Sequence, residues 1–137
     1  MELKVSFPGG ARVDAHFGPY TVRTDQPAHG GGEASAPTPW ATFLASLATC
    51  AGIYVLGFCR QRDLPTEGLY LTQETEANRE TGLVERIRID IHVPESFPEK
   101  YRDALIRSAQ QCAVKRHMDH PPQFAISTVV DSAAAQD

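Results

Sequence analysis

Three cysteines are the residues in this chain best suited to covalent chemistry: Cys50, Cys59 and Cys112. A cysteine thiolate is both a nucleophile and a metal ligand. Cys50 and Cys59 lie in a segment whose apolar residues recur at helical spacing. Nine steps of about 100° put them on opposite faces of that helix, about 13 Å apart along its axis. Their Cα atoms are then too far apart to be bridged. A redox pair must join Cys112 to one of the other two. Cys50 is the better partner by its surroundings, because Ala48-Thr49-Cys50-Ala51-Gly52 is a run of small residues that another backbone or a substrate can approach. Cys59 stands beside Arg60, toward the helix end. The plainer alternative for each cysteine is a buried small hydrophobe, and the apolar helical stripe that carries Cys112 favours it there. A mid-helix thiol gains nothing from a helix N-terminus, so as a thiolate it needs a cation nearby. Arg12, Arg23, Arg116 and the histidines are the candidates.

Other motifs carry less. His117-Met118-Asp119-His120 places two histidines three residues apart downstream of Cys112, a spacing that zinc can use. The pair stands just before Pro121-Pro122, and no CxxC or HExxH accompanies it, so no metal site is assigned. His16, His29 and His92 read as surface or strand residues. Gly30-Gly31-Gly32 lacks the GxxxxGK[ST] pattern and reads as a pliable loop. No GxSxG is present to suggest a serine hydrolase.

The elements that would position the cysteines follow from the pattern. Residues 2–7, 11–17 and 20–24 read as short strands, with Pro8-Gly9-Gly10 and Gly18-Pro19 as turns between them. The Gly, Pro and Ala-rich stretch 25–39 is a loop. Thr38 can then cap a helix with Pro39 as its first residue. Trp40, Phe43, Leu44, Leu47, Ala51, Tyr54, Val55 and Phe58 share one broad face of it. If it lasts to Arg62 it runs about 35 Å. The other side carries Thr42, Ser46 and Thr49, small and uncharged, so the helix needs cover on both faces. A partner subunit is the natural source in so short a chain.

Residues 68–77 and 83–93 read as a hairpin around Asn78-Arg79-Glu80-Thr81-Gly82. In the second strand, Val84, Arg86, Arg88, Asp90 and His92 alternate against Leu83, Ile87, Ile89, Ile91 and Val93, as a half-buried antiparallel sheet requires. Ser96 and Glu99 fit a capping box. The helix that follows has Phe97, Tyr101, Leu105, Ala109 and Cys112 on its inner stripe, and Lys115, Arg116 and His117 near its end. Residues 124–130 complete the pattern as a last strand, and the Ala/Gln tail should fray. The class is α+β, a single domain over residues 1–137 with antiparallel sheet packed around helices.

Composition bounds what such a fold can do. The chain has 137 residues, 42% hydrophobic and 22% charged, with a net charge of -4. That is ordinary globular composition. It shows no basic face or Lys/Arg run to bind nucleic acid. The N-terminus lacks the apolar core of a signal peptide. A reducing cytoplasm is the expected compartment, where three cysteines do not make a structural disulfide framework. No charge occurs between Glu33 and Arg60, a span long enough for a bilayer. Its prolines, glycines and small polar residues, and the lack of a basic flank, favour a buried helix instead.

The stretch Ala36-Pro37-Thr38-Pro39 followed by Phe43-Leu44-Ala45-Ser46-Leu47-Ala48-Thr49-Cys50 resembles the first signature of the osmotically inducible protein C / organic hydroperoxide resistance family. Gln110-Gln111-Cys112-Ala113-Val114 resembles the second, and the element order matches over nearly the whole chain. The resemblance implies an intertwined homodimer with long central helices and active sites at the subunit interface. It implies that Cys50 attacks an organic hydroperoxide as thiolate and becomes a sulfenic acid. Cys112 then condenses with it to a disulfide. An external dithiol, lipoyl-type in the well-studied branch, reduces the pair. No bound cofactor or metal is implied.

Two features of the peroxidase branches are replaced. Trp40 stands where they carry Glu after the helix-opening Pro. His29-Gly30 stands where one branch carries the Arg that supports the thiolate. Arg12, Arg23 and Glu33 are the residues left to support Cys50. The chain therefore resembles the less characterised branch. An apolar lining from Trp40, Phe43, Tyr54 and Phe58 would favour organic peroxides over hydrogen peroxide. The alternative is a non-peroxidase member with inert cysteines that binds an apolar small molecule or lipid at the dimer interface.

Overall fold

The computed structural model describes residues 1–131. Three strands open the chain: β1 (Lys4–Gly9), β2 (Arg12–Phe17) and β3 (Tyr20–Thr24), antiparallel in that order. Alternation sorts their two faces. Ser6, Asp14, His16, Thr21 and Arg23 share the polar one, where His16 Nε2 lies 2.8 Å from Ser6 Oγ and Nδ1 lies 3.1 Å from Thr21 Oγ1. Val5, Phe7, Val13, Phe17, Tyr20 and Val22 share the apolar one. The core does not extend to it, and Val5, Phe7 and Tyr20 are exposed.

The following loop is folded around one carboxylate. Asp25 is buried and accepts hydrogen bonds from Gln26 N at 2.8 Å, Glu33 N at 3.3 Å, Ser35 N at 3.0 Å and Ser35 Oγ at 2.6 Å. Its own N–H donates to Pro37 O at 3.2 Å. A Cβ at Gly32 would overlap the Gln26 carbonyl, so only glycine fits there. Ala34 takes the left-handed φ of 53° that closes the loop. The stretch read as pliable is thus pinned at its centre, and it delivers Thr38 at a fixed place.

Helix α1 (Pro39–Gln61) starts as expected, with Thr38 Oγ1 accepting from Ala41 N at 3.1 Å. It ends in a Schellman turn: Leu64 N donates to Cys59 O at 2.9 Å and Asp63 N to Arg60 O at 3.4 Å. Asp63 occupies the left-handed position at φ 51°, where glycine is usual. Leu47, Ala51, Val55, Phe58 and Cys59 form its buried stripe. The hydroxyls on its other sides are turned inward. Thr42 bonds Thr38 O, Ser46 bonds Phe43 O and Thr49 bonds Ala45 O. This back-bonding leaves the outer face without a free donor. α1 is long and apolar enough to span a membrane, and only 28% of its apolar window is buried within the chain.

Strands β4 (Tyr70–Ala77) and β5 (Val84–His92) form the expected hairpin. A register shift between Glu76 and Ala77 gives β5 one extra residue, Glu85. The bulge moves Val84 onto the apolar face with Ile87, Ile89 and Ile91 and leaves Leu83 exposed, which corrects the strict alternation read from the sequence. On the polar face Glu74 pairs with Arg88 at 2.9 Å. On the apolar face Gln73 Nε2 donates to Leu44 O of α1 at 3.0 Å, tying sheet to helix. The core of Val55, Phe58, Cys59, Phe97 and Leu105 fills the space between α1, this hairpin and the next helix.

The second half of the chain departs from expectation in three places. The Ser96–Glu99 capping box does not form. Phe97 is buried, its N–H closes a turn onto Pro94 O, and the chain passes through a 3-10 turn at Glu99–Tyr101. Then the single helix expected through His117 is two: α2 (Arg102–Ala109) and α3 (Ala113–Asp119). The chain tightens at Gln110 and Gln111 and turns extended at Cys112, with φ -43° and ψ 121°. This break seats the Cys112 side chain against α1. Finally, residues 124–130 form no strand. Among the described residues this segment pairs with no strand, and Phe124, Ile126, Val129 and Val130 stand exposed. The expected fraying of the Ala/Gln tail falls mostly outside the described residues.

The Asp25 carboxylate sits low, at about 2 against an ordinary 3.8, chiefly because the Ser35 hydroxyl and N–H donate to it. A depressed carboxylate contributes stability that is complete above its ordinary value and is lost as pH falls toward the lowered one. Amide exchange at Glu33 and Ser35 should therefore accelerate, relative to intrinsic rates, between pH 3.8 and about 2. In Asp25→Asn the same amides should exchange quickly already at neutral pH. Slow exchange there in the variant would show that the carboxylate does not hold the loop.

Candidate active site

Cys50 projects from the middle of α1, half-buried, with Cys112 buried opposite it. The two thiols are near enough to shift each other's ionisation in opposite directions. Cys112 is the N-cap of α3: its Sγ accepts from Lys115 N at 3.5 Å and lies 4.0 Å from Leu47 O. Because the chain turns at Cys112, the first N–H groups of α3 aim back at α1. Those of Val114 and Ala113 act to lower the Cys50 thiol. Such N–H groups have no partner inside their own helix, so a sulfur anion is a fitting acceptor for them.

The two sulfurs are thereby unequal. Burial pushes the Cys50 thiol up, but the Val114 N–H, the Cys112 thiol and the Ala113 N–H outweigh it, and the net displacement is downward. Burial pushes the Cys112 thiol up as well. There the Lys115 N–H opposes it, while the bond it donates to Cys50 and the Cys50 charge add to it. Cys50 is therefore the more acidic thiol of the pair and Cys112 the less acidic. Cys59 is different again. It is 0% exposed in the core beside Val55 and Phe58, and burial raises it against the opposing pull of Arg62.

The sequence required a cation for a mid-helix thiolate, and the structure supplies peptide N–H groups instead. No Arg, Lys or His contributes to the displacement of Cys50. Arg12 lies at the β1–β2 turn, bonded to Gly9 O and Pro8 O, and lines a hollow with Asp25 and Glu33. Arg23 lies on the polar face of β3. Arg116 lines a separate hollow with His117 and His120. Within the chain, then, Arg12, Arg23 and Glu33 are grouped at the N-terminal sheet and its loop. Among the described residues no group of three or more His, Cys, Asp or Glu side chains could hold a metal ion. Sequence reasoning missed Ala113 and Val114. They act through their backbone, and no Gly or Pro marks the turn that aims them.

A cavity of about 490 Å³ lies between α1, β5, the end of α2 and α3. Leu47, Ala51, Ile87, Ile89, Ala109 and Met118 give it apolar walls, and Glu85, Arg86, Lys115 and Asp119 add charge. Cys112 is part of its wall, and Cys50 is not. The aromatic lining expected from α1 is absent from it. Phe58 is in the core beneath Arg62 and beside Tyr101, and Trp40 is half exposed and stacked on Phe43 at 5.2 Å. The apolar lining comes from Leu47 and Ala51 of α1, Ile87 and Ile89 of β5, Ala109 of α2 and Met118 of α3 instead.

The chain is α+β, with Cys50 on its long apolar helix and Cys112 at the break between α2 and α3. The chain belongs to the OsmC-like protein family, whose sequence model matches residues 30–127, a span that holds both cysteines. Solved structures agree on the fold. An osmotic stress induced and detoxification response protein from Psychrobacter arcticus superposes with a TM-score of 0.70 at 22% identity, over 83% of this chain and 85% of that one. An OsmC-like protein from Mycoplasma pneumoniae gives 0.67 at 14%, over 88% and 87%. An organic hydroperoxide resistance protein OsmC from Legionella pneumophila gives 0.55 at 18%, over 85% and 87%. No curated protein matches the sequence.

The role of the α3 N–H groups can be tested by removing one. Cys112 already has the extended backbone that a following proline demands, and Ala113 is the first helical residue, where proline is tolerated. Ala113→Pro should keep the fold and remove one donor. The pH midpoint for alkylation of Cys50 by iodoacetamide should move up. An unchanged midpoint in a folded variant would show that these N–H groups do not hold the thiolate.

Proposed function

We propose that the protein reduces organic hydroperoxides with Cys50 as the attacking thiolate and Cys112 as the resolving thiol. The observation that carries this reading is the seating of Cys112, at the break between α2 and α3, against the part of α1 that bears Cys50, its Sγ 4.0 Å from Leu47 O, with the Cys50 thiol shifted down and the Cys112 thiol shifted up. Its first step needs a thiolate, and Cys50 is the cysteine displaced toward one. The Cys50 sulfur attacks the terminal peroxide oxygen and the O–O bond breaks. An alcohol leaves, taking a proton, and Cys50 is left as a sulfenic acid. Cys112 is in place for the second step: its sulfur attacks the sulfenic sulfur, water leaves, and a disulfide forms. An external dithiol of lipoyl type returns both thiols. Membership of a family with a structural neighbour described as an organic hydroperoxide resistance protein supports the same direction.

The working unit in this reading is a homodimer. Three surfaces of the chain lack cover: the apolar face of β1–β3, the outer face of α1 with Ile53 57% exposed, and the apolar segment 124–130. Apolar patches of this extent mark interaction sites. Burial of these surfaces against a second copy supplies the cover that the uncharged α1 needs.

The cavity beside Cys112 favours a second reading, in which the protein binds an apolar small molecule and its cysteines stay reduced. Free thiols counted before and after one equivalent of cumene hydroperoxide separate the two. The peroxidase reading predicts rapid loss of two thiols in the parent, loss of one in Cys112→Ser, and no rapid loss in Cys50→Ser. Loss no faster than for free cysteine would leave the binding reading standing.

A further inference from the structure

Cys50 stands between two points at which the end of α2 and the break beyond it are tied to α1. Ser108, the next to last residue of α2, donates from its Oγ to Tyr54 O at 3.2 Å. Further on, at the break, the Cys112 Sγ lies 4.0 Å from Leu47 O. Leu47 comes three residues before Cys50 and Tyr54 four residues after it. On a helix those residues lie about one turn to either side of Cys50 and within about 60° of it around the axis. Resting on the dithiol reading above, we propose that Ser108 is a positioning residue for disulfide formation: its hydroxyl holds the α2–α3 break in register on α1, so that Cys112 closes on Cys50.

The two ties fare differently in the reaction. The Cys112 sulfur attacks the sulfenic sulfur of Cys50, the S–S bond forms and the S–O bond breaks. The Cys112 proton leaves with the hydroxide as water. With that proton gone, Sγ has nothing to donate to Leu47 O. Ser108 shares no atom with the reacting groups, so its bond to Tyr54 O is kept through the step. It is the fixed point about which the Cys112 side chain turns from Leu47 toward Cys50. The register matters because a disulfide takes Cα atoms only about 4.4–6.8 Å apart, and a slide of one helical turn, about 5.4 Å, puts the pair out of range.

The spacing of the ties also accounts for the break. Leu47 and Tyr54 are about 10.5 Å apart along α1, whereas an unbroken helix advances only about 6 Å from Ser108 to Cys112. The chain lengthens its reach between them. Gln111 N donates to Ser108 O at 3.0 Å and Cys112 N to Ala109 O at 3.2 Å, a closure that rises faster than an α-helix, and the extended backbone at Cys112 adds the rest. The residue type points the same way. Alanine is the better helix former, so α2 gains nothing from serine at this place except the bond. The hydroxyls of Thr42, Ser46 and Thr49 turn back on their own helix, and that of Ser108 crosses to the neighbouring one.

Ser108→Ala removes the hydroxyl, favours the helix and leaves the cavity walls as they are, since Ser108 is not among them. The reduced variant is mixed with cumene hydroperoxide, with and without dimedone to trap sulfenic acid. Oxidation of Cys50 should keep the parent rate, while disulfide formation slows about five- to tenfold, the scale of one hydrogen bond, and the dimedone adduct rises with it. Ser108→Thr, which keeps the hydroxyl, should behave as the parent. An unchanged disulfide rate in the folded Ser108→Ala, or equal slowing of both steps, overturns the proposal. A second arm needs no peroxide. Parent and variants are equilibrated with reduced and oxidised glutathione, and the ratio of internal disulfide to Cys50 mixed disulfide gives the effective concentration of Cys112. It should fall by the same factor in Ser108→Ala and return in Ser108→Thr; an unchanged ratio overturns the proposal. If peroxide leaves the parent untouched and the ratio still falls, the functional reading fails and the role of Ser108 stands. If glutathione forms no internal disulfide in the parent, both fail.

Discussion

The sulfur of Cys112 caps a seven-residue helix and rests against α1, 4.0 Å from Leu47 O, and the rest of the site is arranged around that seat. α3 is too short to be stable alone. Cys112 caps it, its Sγ accepting from Lys115 N at 3.5 Å, and the N–H groups of Val114 and Ala113 act to lower Cys50. For the donors to be aimed at α1, the chain must stop being helical at Gln111, turn at Cys112 and restart. For Cys50 to meet them, α1 must run unbroken from Thr38 to the Schellman turn at Asp63, braced by Leu105 and Phe97 below and by Gln73 of β4. A half-buried thiolate without a cation is costly unless its lone pairs are satisfied. Here backbone N–H groups act in place of a cation.

The same economy of charge runs through the chain. α1 has no charged residue from Pro39 to Phe58, and its hydroxyls bond to its own carbonyls. It can be packed against on every side without stranding a polar group. The Asp25 carboxylate does the equivalent for the loop ahead of it, gathering four donors and fixing where Thr38 starts the helix. What the chain leaves uncovered is apolar as well: one face of the N-terminal sheet, the outer side of α1 and the segment from Phe124 onward. In the proposed homodimer a second copy would cover these surfaces.

The legible parts of this architecture were those written locally. Thr38-Pro39, the 3.6-residue period of α1 and the alternation of the strands all state their element within a few residues, and each element formed where they placed it. Helix geometry also removed Cys50–Cys59 from consideration, leaving Cys112 with either of the other two. The failures were tertiary. Ser96 and Glu99 have the residue types of a cap, but burying Phe97 turned the chain another way. Val84 changed face because of one bulge residue, Glu85. The break at Gln110–Cys112 carries no Gly or Pro, and only the demand to seat Cys112 on α1 produces it. The segment 124–130 has the composition of a strand without a ladder in its own chain, so sequence could state its preference but not its partner. The support for Cys50 was missed because a backbone N–H has no residue type to recognise.

All of this turns on Cys50 being an anion held by α3. The most direct measurement is an ultraviolet thiolate titration of the reduced protein, repeated with Cys50→Ser. One thiol should ionise below the ordinary cysteine range and vanish in the variant, with the remaining two ionising above it. Three thiols that all ionise at or above that range in the parent would contradict the account.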